Sequence, residues 1–236
     1  MSTLSAVLAL ATISQTPSIG QYVQTGFRDA SFVAVRQSAN QRELAKISDD
    51  FQQSYRFDRT RVFLKEPMML RLEARVEGQD IFFILNGPTR LVRIPKSNIN
   101  QRENLAKAPG KRQTGNDFGL LLPSMFNNFF VAKFVRNDRA TGAAVFDLTY
   151  IPSLDDTSRH RVFVDPEKKV MIRREWYGQE GQLRAIFLYS DFKQFGSIWM
   201  PTKITVNNSE NRAAGSTNYI DIKVNTGLSD DLFRVR

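Results

Sequence analysis

The sequence predicts a mainly β protein of the α+β class, built on one curved antiparallel sheet with a few helices. Two observations carry this. Beyond residue 30, apolar and polar residues alternate with a period of two, and turn-forming residues cut the alternation at short intervals. No Gly/Ser-rich linker divides the series, so residues 17–236 read as a single domain of about nine strands.

The elements follow in order. Residues 1–16 hold a short apolar stretch, Leu4 to Ile13, closed by Ser14-Gln15-Thr16-Pro17, with the small-x-small triplet Ala9-Leu10-Ala11. This is the pattern of the later part of a secretory signal, cut near residues 11–16, although no basic residue precedes Arg28. A short helix packed on the body is the alternative. Residues 18–55 are mixed: Leu44, Ile47, Phe51 and Tyr55 have helical spacing, while Phe32–Val35 and Tyr55–Phe63 suit strands. The clearest strand runs from Met68 to Glu77. Met68, Leu70, Leu72, Ala74 and Val76 fall on one face, and Arg71, Glu73 and Arg75 on the other. Strands at 80–86 and 89–94 follow through turns at Gly78 and Gly87, and Pro95 ends the run. Residues 97–117 are polar, basic and punctuated by Gly and Pro, and read as a mobile loop. Pro123 then suits the first turn of a short helix that sets Leu122, Met125, Phe126 and Phe129 on one face. Further strands are expected at 131–136, 143–151, 161–164, 169–177, 182–192, 197–207 and 217–225.

Composition narrows the function. The chain has 236 residues, with 33 Lys plus Arg against 24 Asp plus Glu, a net charge of +9. It has no cysteine and one histidine, His160. Disulfides, thiolate sites and multi-histidine metal centres within the chain are excluded. No apolar run approaches the roughly 18 residues that a membrane-spanning helix needs. Asp155, Asp156 and His160 share a loop, but acids beside Thr157 and Ser158 are ordinary turn chemistry. Neither a phosphate-binding glycine loop nor a nucleophile elbow is present, and no nucleic-acid signature occurs. The pair Arg173-Arg174 with Lys168-Lys169 reads as an exposed basic hairpin face. The chain is therefore read as non-enzymatic, without a cofactor.

With 18 Phe against 6 Tyr and 2 Trp, the chain carries much apolar area without polar handles. A curved sheet needs its inner face covered, and few helices are available. An unfilled inner face would form a cavity for an apolar ligand, with 118–130 as its cover or as a core plug.

Several segments resemble the periplasmic outer-membrane lipoprotein carrier (LolA-like) family. Phe63-Leu64-Lys65-Glu66-Pro67-Met68-Met69-Leu70-Arg71-Leu72-Glu73 is similar to its strand, Lys-x-Pro and x-x-Leu-Arg segment, and Ile84-Leu85-Asn86-Gly87 to the turn that follows. Trp199-Met200-Pro201-Thr202-Lys203-Ile204 resembles a late strand of the wider lipoprotein-sorting group. Tyr219 to Asn225 and Leu228-Ser229-Asp230-Asp231-Leu232-Phe233 resemble its end. The resemblance spans roughly residues 50–236, carried by the order and spacing of short motifs. It implies an incomplete β-barrel with helices closing over a hydrophobic cavity for acyl chains. It also implies an exported, monomeric carrier or sensor of the periplasm or cell envelope, with an acylated lipoprotein or lipid as ligand and membrane-bound donor or acceptor proteins. Met68, Leu70, Leu72 and Val76 are the expected cavity wall, and Leu122, Met125, Phe126 and Phe129 the lid. The family's lid-locking arginine has only candidates here: Arg56, Arg59 and Arg61. The alternative is an interaction module that binds an anionic membrane surface or a partner protein through its basic surface.

Overall fold

A computed structural model describes residues 16–235; the signal-like segment lies almost wholly outside them. Six strands come first: β1 (Asp29–Ala39), β2 (Arg59–Lys65), β3 (Met69–Val76), β4 (Gln79–Asn86), β5 (Thr89–Ile94) and β6 (Ile99–Asn104). Two short helices, α1 (Gln41–Ala45) and α2 (Asp49–Ser54), connect β1 to β2. After a long connection come β7 (Phe130–Asn137), β8 (Ala144–Tyr150), β9 (Arg159–Asp165), β10 (Val170–Tyr177) and β11 (Leu183–Ser190). A small hairpin, β12 (Lys193–Phe195) and β13 (Ile198–Met200), precedes β14 (Lys203–Asn208) and β15 (Ala213–Val224).

Thirteen of these strands form one sheet in the order β6-β5-β4-β3-β2-β1-β15-β14-β11-β10-β9-β8-β7. All pairings in it are antiparallel. All but one join strands that follow each other along the chain, allowing for the inserted β12–β13 hairpin. The exception is β1 with β15, where Ala30 faces Val224 and Ala34 faces Tyr219. The sheet is thus two meanders joined edge to edge, with β6 and β7 as its free edges. It is not closed into a barrel.

Local chemistry explains the register. On β3, Leu70 is buried while Arg71 and Glu73 occupy the opposite face, where Glu73 pairs with Arg71 at 2.7 Å and with Arg61 of β2 at 3.4 Å. A one-residue slip would drive these charges inward. The β3–β4 turn uses Glu77 (φ 50°) and Gly78 (φ 75°), the left-handed pair that matches strand twist. Outside this half of the sheet, the segment from Leu228 crosses β2–β5. Phe233 is fully buried there against Ile84 and Leu91, and Lys65 and Arg71 donate to the carbonyls of Leu228 and Leu232. This strap explains why β2–β5 carry apolar residues on both faces.

The main core lies on the concave side. The connection 105–129 runs through it from one free edge to the other, with Leu105, Leu120, Leu121 and Met125 fully buried. Here the structure corrects the expectation of a mobile loop at 97–117. Residues 99–104 are the edge strand β6, whose side chains are polar because both its faces meet water. The turns that follow are short 3-10 segments. The helix expected after Pro123 is only the 3-10 turn Pro123–Phe126, too short to align Leu122 with Phe129. The strand expected at 197–207 is split at Pro201 and Thr202, and the strand count is higher than the nine expected.

The seam between the meanders is pinned by Asp29, which is 3 % exposed. Its two carboxylate oxygens accept the backbone N–H groups of Thr226 (2.8 Å) and Gly227 (3.0 Å). Asn225 completes the clasp: its side chain accepts from the Arg28 N–H and donates to the Gly26 carbonyl, both at 2.8 Å. Asp29→Ala would strand two backbone donors. It is expected to lower stability by about 1–3 kcal/mol, seen as a lower urea midpoint at unchanged m-value. An unchanged midpoint would show that the seam does not depend on this clasp.

Candidate functional site

Curvature brings the two meanders face to face around a cavity of about 590 Å³. Thr60, Leu72, Ala74, Ile81, Phe83 and Val92 line it from β2–β5. Phe130, Tyr150, His160, Arg174, Trp176 and Phe187 line it from β7–β11. A smaller hollow of about 190 Å³ adjoins it and shares Phe51, Phe57, Leu72 and Phe187. The exposed residues Asp50, Ser54, Lys111 and Gln113 mark the opening.

Two short helices lead from β1 to β2, of which only α2 lines this space, and they are held very differently. The α1 turn is anchored: Leu44 and Ile47 are fully buried, Glu43 accepts from Asn208 Nδ2 at 2.6 Å, and Arg184 donates to the Ile47 carbonyl. The α2 helix has a cap, Ser48 Oγ accepting from the Phe51 N–H at 3.2 Å, but not one buried residue. Its Phe51 ring lies 6.1 Å from Trp176 and 5.7 Å from Phe187, between the two hollows. Below it, Tyr55 packs on Gly215 so closely that a β-carbon there would sit 2.4 Å from its ring.

The segment 110–117 forms the other wall. Thr114 and Asp117 make a reciprocal cap: the Thr114 N–H donates to Asp117 at 2.8 Å, and Thr114 Oγ1 accepts from the Asn116 N–H. Asp117 then pairs with Arg174 at 3.0 Å, on a side chain only 4 % exposed. Burial opposes the Arg174 charge, but Tyr189 and Asp117 outweigh it and leave the guanidinium pKa raised. Tyr189, itself pushed up to about 12 by burial, donates to the Asn116 carbonyl at 3.0 Å. Gly119, at φ +84°, lets the chain pass within a β-carbon's reach of Pro201 and Tyr189. The segment is therefore locked to β10 and β11 and is not a loose flap.

The structure distributes the sequence-predicted site residues unevenly. Leu72 lines the main cavity. Met68, Leu70, Leu122 and Met125 surround a separate void of about 10 Å³, roughly the space of one water. Phe129 is 2 % exposed in the core, while Phe126 is partly buried against it and Val76 is partly exposed at the end of β3. Phe51, Trp176 and Phe187 line the cavity although no sequence motif marks them as site residues. Arg174 is not on an exposed basic face but inside. Arg56, Arg59 and Arg61 are exposed, and none lines the cavity. Asp156 accepts from Ser158 in a turn, whereas His160 points to the concave side among Phe130 and Tyr150.

His160 gives this wall a measurable signature. Burial, then the nearby Arg174, holds its pKa well below the ordinary 6.5. The folded state thus resists a proton that the unfolded chain accepts, so stability present above about pH 6.5 is lost as pH falls below it. Being the sole histidine, it can be isolated. The stability difference between wild type and His160→Phe is expected to change by up to about 1.4 kcal/mol per pH unit below pH 6.5 and to stay flat above it. Parallel stability curves for the two proteins across this range would rule out a buried neutral His160.

Comparison with known proteins places the architecture. Residues 64–236 match the model of a family described as "Uncharacterized protein". Among curated proteins none matches. A DUF1329 family protein from Desulfovibrio piger is 14 % identical, with a TM-score of 0.61 and 92 % of each chain covered. A LolA superfamily protein from Nitrosomonas europaea is 17 % identical, with a TM-score of 0.61 over 92 % of this chain and 94 % of that one. An outer membrane lipoprotein-sorting protein domain, so described, from Vibrio parahaemolyticus is 12 % identical, with a TM-score of 0.55 over 92 % and 93 %. The chain belongs to the family whose model spans residues 64–236, and its fold is the LolA-like one that the sequence motifs resembled.

Proposed function

We propose that the protein is a non-enzymatic carrier or sensor that binds acyl chains in the cavity between its two meanders, and that it works after export, in the periplasm or cell envelope. The observation that carries this is the cavity itself: about 590 Å³, walled by Phe57, Leu72, Ile81, Phe83, Trp176 and Phe187. That is the size range of small-molecule sites, in a fold shared with proteins described as lipoprotein-sorting. No helix among the described residues is long and apolar enough to cross a membrane. The ligand is an acylated lipoprotein or a lipid, exchanged with membrane-bound donor or acceptor proteins.

Magnitude limits the mechanism. Burying a 16-carbon chain at about 0.8 kcal/mol per methylene yields roughly 12 kcal/mol gross. A carrier that must release such a chain buries it only in part or pays to open. The α2 helix meets this need, since no residue of it is buried and its Phe51 fills the space between the hollows. We assign the cover to α2 and read 118–130 as the plug beneath, with Leu72 as the β3 contact. A purely electrostatic surface role is less favoured, because many basic side chains already face acids, as in Arg161–Asp147, Arg173–Glu175 and Lys65–Asp230.

Native mass spectrometry of the purified protein is expected to show co-purifying acyl ligand; its absence, with strongly salt-dependent binding to anionic vesicles, would favour the surface role. Two variants separate cover from plug. Phe51→Ala should alter the affinity or release rate of a fluorescent fatty acid at small cost in stability. Phe129→Ala should cost the roughly 3–5 kcal/mol of a core Phe deletion. A core-sized loss for Phe51→Ala with unchanged binding in the folded fraction would remove α2 from this role.

A further inference from the structure

The two walls of the cavity differ in polarity. The β2–β5 wall presents Leu72, Ala74, Ile81, Phe83 and Val92, with Thr60 and Arg90 as its polar members, whereas the opposite wall combines 110–117 with β8–β10 and presents Arg112, Asn116, Asp117, His160 and Arg174 beside Tyr150 and Trp176. Asn116, His160 and Arg174 are 1 %, 7 % and 3 % exposed. Each carries a buried polar atom without a hydrogen-bond partner: Asn116 Oδ1, His160 Nδ1 and Arg174 Nε. Arg112 Nε is a fourth. Native interiors leave few such atoms, and four on one cavity wall is a concentration that needs a cause.

Charge points to the cause. Among the cations that line the cavity, Arg174 pairs with Asp117, and Arg90 and Lys111 pair with Glu103. Arg112 has no carboxylate within ion-pair distance among the described residues. One face of its guanidinium is covered by the Phe129 ring at 4.6 Å, and burial works against its charge. A guanidinium that is half desolvated and uncompensated is costly alone and strongly attractive to an anion.

We infer that the cavity takes its ligand head-inward: an amphiphile with a free, compact anionic head, a carboxylate or a phosphate monoester, seated at Arg112 on the wall shared with His160 and Arg174, and its tail along β3–β5. This inference rests on the acyl-binding reading and narrows it. The ester- or amide-linked chains of a lipoprotein have no free acid group, so the seat selects free acids or their phosphate analogues. The four unpartnered atoms are themselves occluded, so the seat forms by a small rearrangement of Arg112 and its neighbours around the head.

The test is isothermal titration of the full protein with dodecanoate, dodecyl phosphate and dodecanol. At least one anion is expected to bind about tenfold or more tightly than the alcohol, with the preference kept at high salt because the seat is desolvated. Comparing the two anions identifies the head. Arg112→Gln should abolish the preference and leave dodecanol binding unchanged, while Arg112→Lys restores part of it. Carbon-13 NMR of carboxyl-labelled dodecanoate adds a reading that misfolding does not mimic: the bound carboxylate should titrate at lower pH in wild type than in Arg112→Gln. Equal binding of the acids and the alcohol by wild type, or an anion preference that survives in Arg112→Gln, overturns the inference and leaves acyl binding intact. Binding of none of the three overturns both.

Discussion

The pairing of β1 with β15 is the constraint on which the rest depends. Every other contact in the large sheet is between strands close along the chain, so each meander can form locally. Only the β1–β15 ladder makes them one surface, and only one surface can curl far enough to set Val92 of β5 and Phe130 of β7 around one cavity. The clasp of Asp29 and Asn225 sits at the end of this ladder. Its donors and acceptors are backbone groups that have no strand partner of their own, so the clasp both satisfies them and fixes where the two meanders meet.

The free edges have a matching logic. The connection 105–129 crosses between them and fills the floor with Leu105, Leu120, Leu121 and Met125, which leaves the space above it empty. The pair of buried Arg174 with the partly exposed Asp117 locks that connection to β10. A buried ion pair adds little net stability but makes alternative placements of the segment expensive. The result is a floor tied down along 105–129, beside the short helix α2, which has no buried residue.

Much of the fold was legible because it is written in period two. The β3 alternation from Leu70 to Val76, the Gly78 turn and most strands from Phe130 onward follow from spacing alone; the small β12–β13 hairpin and its break at Pro201 do not. The β6 edge was not legible, because a strand with both faces in water has no apolar alternation to show. The site was less readable still. On β10 a register shift between Met171 and Arg173 breaks the period, so two adjacent arginines cannot be sorted into inner and outer by counting. Arg174 and His160 became site residues only through burial, and Phe51 only through its position over Trp176 and Phe187. The apolar residues of 118–130 announced themselves by composition, but composition does not tell a lid from a plug.

The seam also sets an order of events. When the chain emerges from its N-terminus, the first meander is complete long before β15 exists, so β1 presents a bare ladder and the concave face of β2–β5 stays open to water. Pairings between residues as distant as Ala30 and Val224 are slow to form, and half-built sheets with open edges are prone to join the wrong neighbour. A chain with this topology profits from being held unfolded until its last strand has been delivered.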